Sequence, residues 1–390
     1  MKNKANFRSI RTHLWAVPCA FSFVLSHEVI AEDLPELKLF NLDVINQTYI
    51  NGKLEFKLLS DVQSDPLPVK YLGHSNWTRF LDARPGINMI RIDKSAGVEL
   101  TSQDRLFSFG LTTRIVGRLL ASEESLRNLR VVANREAQPR DWLVDVQLNM
   151  EGFSGTGVQW QQKYNISPQL HWRFGGQGLL LNNLQSRDFS GQMGYQQLQQ
   201  SYRFEVVSQD KNNALRLPYQ DAVNKFGQGL LFNTHIAWQS KHAGVEFGVK
   251  DLGILHWQGL PNQVLKLNSN ITERDSNGYL LYRPLLTGQN SQVSVLQKSP
   301  WVAELTPKWI PTLGQYFSMP WQYIPNFGWL KAYRWTNTQG STPWAIEWRD
   351  HDRNLVFHGQ WSQWVADIGF SNFSSNSRSQ IFKLSYVQKF

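Results

Sequence analysis

Acidic and imidazole side chains that could do acid–base chemistry stand side by side in "RDHDR", residues 349–353. An aspartate–histidine pair such as Asp350 and His351 can activate a water or a hydroxyl group. However, alternation along an extended chain puts Asp350 and Asp352 on one face and His351 on the other. We therefore predict a polar turn between two strands here, and we expect that the protein is not an enzyme and has no catalytic residues.

Metal and phosphate chemistry have no better support in the sequence. The histidines do not pair at helical spacing, and the only cysteine, Cys19, lies in a segment that is predicted to be removed. The glycine-rich stretches 152–157 and 175–178 do not lead from a strand into a helix, as a phosphate-binding loop requires, and are predicted to be turns. We therefore expect no metal ion and no cofactor.

Charged residues that alternate with apolar ones are the best indication of function. They carry both signs, and buried charges of both signs are normally paired. In a narrow barrel they would cross-link a filled interior, whereas in a wider one they would line a channel and tune its selectivity. The predicted lumen residues are Arg173, Arg203, Glu205, His235, Glu246, Lys250, Arg334, Glu347, Arg349 and Asp367.

Strands with a period of two must position these charges. In "DWLVDVQLNM" the apolar residues Trp142 and Val146 share one face, while Asp145 and Gln147 share the other. The same alternation recurs along the chain as far as "WAIEWR", residues 344–349. A soluble sandwich with one buried face would show the same pattern, so alternation alone does not place the strands in a membrane.

Three features favour a membrane barrel over a soluble β-sandwich. They are a leader of secretory type, 16 Trp and 12 Tyr that tend to lie near strand ends, and charges on the polar faces. The predicted fold is all-β, a transmembrane antiparallel β-barrel in the cell outer membrane with on the order of 12 to 14 strands. An arginine at Val146 would then lie in hydrocarbon, and one at Gln147 in the lumen.

The chain is predicted to have three parts. Residues 1–31 combine basic residues with a short apolar run and a small-residue cleavage site, which is the pattern of a signal peptide. Residues 32–85 contain three prolines and form either a plug or the first strands, and "GKLEFKLL" at 52–59 fits both alternatives. Residues 86–390 are predicted to form the barrel, with no transmembrane helix.

The last ten residues, "IFKLSYVQKF", predict a closing strand, because the last strand of a closed barrel must pair with the first. Phe382, Leu384, Tyr386 and Phe390 resemble the carboxy-terminal signal by which the outer-membrane assembly machinery recognises bacterial barrels. The resemblance implies that this machinery is a partner. A net charge of +9 favours outer-membrane lipid and lipopolysaccharide as further partners, and nucleic acid is not expected.

Polar stretches rich in Asn, Gly or Pro are predicted to be the longer loops of the barrel. They are residues 122–140, 209–229, 268–278 and 371–379. The stretch 305–329 combines prolines with aromatic residues and is predicted either to fold into the lumen or to lie at the membrane interface.

One internal stretch, "GQGLLFNTHIAWQSKHAGVEFGVKDLGILHW" at 227–257, resembles a hairpin of the long-chain fatty-acid transporter superfamily and its uncharacterised relatives. The glycine entry and the closing "VKDLG" carry the resemblance, which implies a transporting outer-membrane barrel. Asp251 and Gly253 are predicted to end a strand at a tight turn, with Lys250 close enough to pair with a lumen carboxylate.

Two functions follow from the predicted fold. The first is a porin-like channel or transporter for a small or amphipathic solute. The second is a structural or assembly barrel that anchors a surface polysaccharide, a pilus or a secretion apparatus and transports nothing.

Overall fold

The computed structural model describes residues 52–72, 74, 76–102, 106–217, 224–269, 286–312, 314–372 and 376–389. The predicted signal peptide and Phe390 lie outside these residues. Helix α1 spans Glu123–Asn134, and two 3₁₀ helices span Val69–Tyr71 and Trp77–Phe80. The strands are β1 (Lys53–Ser64), β2 (Ile87–Thr101), β3 (Phe107–Ser122), β4 (Trp142–Asn165), β5 (Leu170–Gln196), β6 (Ser201–Asn212), β7 (Gly227–Gln239), β8 (Ala243–Asn268), β9 (Leu286–Lys298), β10 (Val302–Thr312), β11 (Gln315–Ser318), β12 (Trp321–Ile324), β13 (Gly328–Asn337), β14 (Trp344–Arg349), β15 (Asn354–Trp361), β16 (Trp364–Phe370) and β17 (Ser379–Lys389).

The strands form one antiparallel sheet that closes on itself. β1 pairs with β2 along one edge and with β17 along the other, so that the first and last described strands join. β6 and β7 both lie between β5 and β8, one after the other. In the same way β9 and β10 both pair with β8, and β11 and β12 both lie between β10 and β13. The 17 described strands therefore occupy fourteen positions around the ring.

β1 resolves the alternatives for "GKLEFKLL", which forms the first strand of the ring. The ring therefore begins at Lys53, well before residue 86. Residues 65–86, with their three prolines, connect β1 to β2 at one end of the ring.

The glycine-rich stretches 152–157 and 175–178 were predicted to be turns, and this prediction was wrong. Both stretches lie inside strands, the first in β4 and the second in β5. Gly157 explains why glycine is needed in a strand. A Cβ atom on Gly157 would lie 1.9 Å from the carbonyl oxygen of Gly178, so the two strands approach too closely for a side chain.

The stretch 305–329 forms wall strands, and neither predicted alternative describes it. It contributes most of β10, then β11 and β12, and the start of β13. Pro320 lies between β11 and β12, and because proline cannot donate a ladder hydrogen bond it accounts for the interruption there.

Helix α1 corrects the prediction that residues 122–140 are only a loop. Ser122 caps the helix by accepting a hydrogen bond from the Ser125 amide at 3.1 Å, and Arg135 ends it in the left-handed conformation. The helix has an apolar stripe at helical spacing, formed by Leu126, Leu129 and Val132. The polar composition of the surrounding residues led to the prediction of a loop. No helix in the described ranges is long and apolar enough to cross a membrane.

α1 packs on the outer face of the wall near the end where residues 65–86 lie. Ile90 belongs to its packing cluster and alternates along β2 with Arg91, which faces the interior. Val146 is buried in the cluster that contains Val132 of α1. Val146 therefore faces protein, and the expectation that it lies in hydrocarbon was wrong.

The two ends of the ring differ in their connections. The end that holds Lys53 and Lys389 has short connections such as 166–169 and 240–242, and we call it the short-turn end. The opposite end, which we call the loop end, carries residues 65–86 and α1. Of the polar stretch 209–229, the first residues belong to β6 and the last to β7, and residues 218–223 lie outside the described residues.

Candidate functional site

The outer face of the ring shows which environment surrounds it. Large apolar side chains on this face are exposed, including Phe56, Leu58, Trp344, Ile346 and Trp348. A belt of this size is unstable in water, and the closed ring leaves few strand edges unpaired. An apolar outer belt around a polar interior is the arrangement of bacterial outer-membrane barrels. The chain is an outer-membrane β-barrel.

The closing strand presents the predicted assembly-signal residues to this environment. Phe382, Leu384 and Tyr386 alternate along β17 with Lys383, which faces the interior. Their outward placement makes them accessible from the membrane side.

The lumen contains two adjoining cavities. Cavity 1, of about 500 Å³, is lined by residues that include Asp61, Lys308, Arg334, Glu347, Arg349 and Asp367. Cavity 2, of about 530 Å³, is lined by residues that include Glu99, Gln159, Gln161, Arg173, Gln177 and His235. Leu59, Asp93, Lys250, Asp251 and Glu304 border both cavities.

Charged side chains from strands that are not neighbours meet between the cavities, and we call this group the charge septum. Its members are Arg91, Asp93, Arg114, Lys250, Asp251 and Glu304. Arg114 on β3 contacts Asp251 on β8, with Nη2 donating to Oδ2 at 3.0 Å. The same Nη2 donates to Asp93 Oδ1 at 3.1 Å. Arg114 thus joins walls that are four positions apart around the ring.

The septum continues to the wall formed by β10 and β12. Lys250 Nζ donates to Glu304 Oε1 at 2.9 Å, as expected for a lysine close to a lumen carboxylate. Gln322 Nε2 donates to the same oxygen at 3.1 Å, and Arg91 Nη1 donates to Gln322 Oε1 at 2.9 Å. The septum is therefore a continuous polar network across the lumen.

Asp251 was predicted to end a strand, and this prediction was wrong, because β8 continues to Asn268. Instead its φ of 60° places a kink within β8, and such a conformation costs a non-glycine residue about 1–3 kcal/mol. Two contacts hold the kink: its amide donates to Asn233 Oδ1 at 2.8 Å, and its carbonyl oxygen accepts from the Ser299 hydroxyl. The kinked backbone holds the carboxylate beside Arg114.

A second charge cluster lines cavity 1, and most of its contacts join neighbouring strands. Glu347 is nearly fully buried and accepts from Arg334 Nε at 2.7 Å and from Arg349 Nε at 2.8 Å. His358 Nδ1 lies 3.0 Å from Asp367 Oδ1 on the next strand. These contacts fasten adjacent strands, and Arg349 Nη1 also lies 3.5 Å from Asp61 Oδ2 on β1, so the cluster reaches a strand that is not a neighbour of β14.

The stretch "RDHDR" contains the turn between β14 and β15, which confirms the predicted polar turn. His351 Nε2 lies 2.7 Å from Asp65 Oδ1, and Arg84 lies 3.2 Å from the same oxygen. Burial raises the pKa of the Asp352 carboxyl above its ordinary value. The contact between His351 and Asp65 ties the turn to the segment between β1 and β2.

The predicted lumen residues fall into two groups. Eight line a cavity: Arg173 and His235 border cavity 2, Lys250 borders both, and Glu246, Arg334, Glu347, Arg349 and Asp367 border cavity 1. Arg203 and Glu205 line neither cavity and are exposed, unlike the expectation from alternation. They lie on β6, where the wall extends beyond both cavities, and the alternating Phe204 and Val206 pack under α1.

Sequence reasoning missed the centre of the septum. Arg91, Asp93 and Arg114 were not among the predicted lumen residues. A signal for Arg114 was present, because Arg114 and Arg118 stand in the mainly apolar run "LTTRIVGRLL" at an even spacing that puts both on one face of a strand.

Apolar side chains pack inside the lumen towards the loop end. Met89, Leu120, Val302 and Ile324 are buried together, although they come from strands on different sides of the ring. Another interior cluster surrounds Trp257, which is fully buried. These packed side chains occupy part of the lumen there, while cavity 1 reaches His351 and Asp352 of the turn between β14 and β15.

Comparisons with known proteins give only distant structural similarity. No family model matches the sequence, and no curated protein matches it. A deletion mutant of the TodX monoaromatic hydrocarbon channel has a TM-score of 0.43 and 8% identity over 87% of this chain and 90% of that one. The CymD monoaromatic hydrocarbon channel has a TM-score of 0.28 and 10% identity over 91% and 92%. The outer-membrane protease OmpT from Escherichia coli has a TM-score of 0.23 and 6% identity over 88% and 95%. These similarities are too distant to carry a function over to this barrel.

Proposed function

We propose that the barrel is a gated channel or transporter for a small polar or amphipathic solute. The observation that supports the proposal is the pair of adjoining cavities, whose walls carry charges of both signs. Each cavity has the volume of a typical small-molecule site. A barrel that served only as a solid anchor would have no need for such cavities.

Gating follows from the side chains that stand between the two cavities and from those packed in the lumen towards the loop end. The charge septum stands between the cavities, and the apolar layer of Met89, Leu120, Val302 and Ile324 lies towards the loop end. Both barriers consist of side chains from the wall itself. Side-chain rearrangement or a small movement of strands would therefore open a path past these two barriers.

Planar-bilayer recording tests the proposal. Protein whose folded state is established by its gel mobility before and after boiling is inserted into the bilayer, and we expect discrete current steps. Uptake of a small zwitterion such as glycine betaine into proteoliposomes is measured in parallel. Folded protein that gives neither currents nor uptake would contradict the proposal.

The second candidate is a structural or assembly barrel, and the septum itself is the observation that favours it. Arg114 and its partners join distant walls, and such cross-links stiffen a barrel against collapse. This candidate predicts silent bilayers, and it also predicts that loss of the septum changes stability without creating a conductance.

A further inference from the structure

Lumen cations of this barrel are, with few exceptions, placed against a carboxylate. Pairing of this kind is expected, since a charge in a confined space needs a partner. The pairs are Lys57–Glu99, Arg91–Asp93, Arg114–Asp251, Arg118–Glu151, Lys250–Glu304, Lys308–Glu246, Arg334–Glu347, Arg349–Glu347 and Lys383–Asp367. Among the described residues that line the cavities or adjoin them on the same face, Lys163, Arg173 and Lys331 contact no carboxylate, and Lys331 is alone at cavity 1.

Lys163 and Arg173 are also direct neighbours. They are opposite each other in the register of β4 and β5, and Arg173 is in turn opposite His235 on β7. Arg173 and His235 line cavity 2, and Lys163 follows Gln159 and Gln161 on the same face of β4. We call Lys163, Arg173 and His235 the cationic row.

The cationic row brings like charges together, with Arg173 exposed and Lys163 and His235 half-buried, so that water screens only part of the repulsion. Like charges directly opposite each other on paired strands destabilise a sheet. The carboxylates nearest along the walls already have partners: Glu99 contacts Lys57 and accepts from Gln159 at 3.3 Å, and Glu246 contacts Lys308. Glu246 lies 3.7 Å from His235 at one end of the row, and it shares its negative charge between His235 and Lys308.

We infer that the cationic row binds the oxyanion group, carboxylate or phosphate, of a small solute at the short-turn end of cavity 2. A bound anion would offset the repulsion between Lys163 and Arg173. The guanidinium of Arg173 can hold two oxygens of a carboxylate or phosphate at once, and Lys163 adds a point charge from the adjacent strand. The role of this site in transport rests on the proposed function, whereas binding itself does not.

Three variants test binding without any transport measurement. Arg173→Gln and Lys163→Gln each remove one charge of the row. Lys241→Gln is the matched control, because Lys241 is an exposed lysine on the turn between β7 and β8 at the same end. The readout is the temperature at which the folded gel band is lost, measured in sodium chloride, sodium phosphate or sodium succinate at equal ionic strength.

We expect phosphate or succinate to raise this temperature in the wild type and in Lys241→Gln, and to have little effect in Arg173→Gln and Lys163→Gln. In chloride alone, Arg173→Gln should be at least as heat-resistant as the wild type, because repulsion has been relieved. Protection by phosphate alone identifies a phosphate site, and protection by succinate alone a carboxylate site. Equal protection of the wild type and Arg173→Gln, or equal effects of all three salts, would overturn the inference.

Ion selectivity separates this inference from the proposed function. In a potassium chloride gradient, the anion-to-cation permeability ratio should fall several-fold in Arg173→Gln and stay unchanged in Lys241→Gln. Silent bilayers combined with lost protection in Arg173→Gln would refute transport and leave the anion site standing. Clear currents with unchanged selectivity and equal protection would refute the anion site and leave transport standing.

Discussion

Replacement of Arg114 by methionine tests whether the charge septum is the barrier between the two cavities. Arg114 is buried and is the cation that holds Asp251, so Arg114→Met leaves that carboxylate without a partner. Breaking a buried pair from one side costs about 3–5 kcal/mol of unfolding free energy. Asp93 retains Arg91 at 3.7 Å, so it adds less to the loss.

The double variant Arg114→Met/Asp251→Asn should recover part of that loss. Removing both charges leaves no uncompensated carboxylate, and we expect a coupling energy of about 1–3 kcal/mol between the two substitutions. The double variant is therefore the better protein for recording. With no guanidinium between β3 and β8, the cavities should merge, and the single-channel conductance should rise above that of the wild type.

Arg118→Met/Glu151→Gln provides the matched control. Arg118 lies on the same face of β3 and donates through Nε to Glu151 Oε1 at 2.8 Å, but Glu151 is on the neighbouring strand β4. This pair does not cross the lumen, so its loss should change stability and leave conductance unaltered. A folded Arg114→Met/Asp251→Asn barrel with wild-type conductance would refute the septum as the barrier, as would an equal rise in the control.

Three further predictions concern the wall and the chain end. Leu58 is exposed on the outer face and Leu59 borders both cavities, so Leu58→Arg should cost about 2–4 kcal/mol and Leu59→Arg much less; equal losses in denaturant titrations would show that the faces are assigned wrongly. Val146→Arg should lower the free energy of unfolding by about 3–5 kcal/mol, because it buries an unpaired charge beneath α1. Gln147→Arg should be tolerated, because Gln147 is exposed. If denaturant titrations showed that both variants are tolerated, the packing of α1 would be contradicted. Deletion of Phe390 should lower the amount of barrel in the outer membrane without affecting export, measured by fractionation; normal membrane levels would mean that the assembly machinery does not read this residue.

Alternation in the sequence predicted much of the wall because it is a local property. Each strand must present one face to lipid and one to the lumen, so Trp344, Ile346 and Trp348 could be assigned opposite Glu347 and Arg349 without knowing the ring. The same rule failed for Val146, because which outer surfaces are covered by α1 depends on contacts between distant parts of the chain. Alternation reports the face of a residue and not what lies against it.

The septum could not be predicted for a related reason. Arg114 and Asp251 are 137 residues apart, and nothing in the spacing of either residue indicates the other. The kink at Asp251 was taken for the end of a strand because aspartate and glycine are typical of turns. The closed ring places the segment between β9 and β10 beside β8, where Ser299 holds the Asp251 carbonyl oxygen. Only this arrangement shows that the kink directs the Asp251 carboxylate into the lumen.

The seam between β1 and β17 sets an order of events during biogenesis. Its pairs run from Lys53 with Lys389 to Gln63 with Ser379, so residues that are far apart in the sequence must meet before the ring exists. Contacts at such separation form slowly, and until they form β1 has an unpaired edge that invites association with other chains. A helper that shields this edge until the last strand arrives would therefore raise the yield of closed barrels more than it would change their final stability.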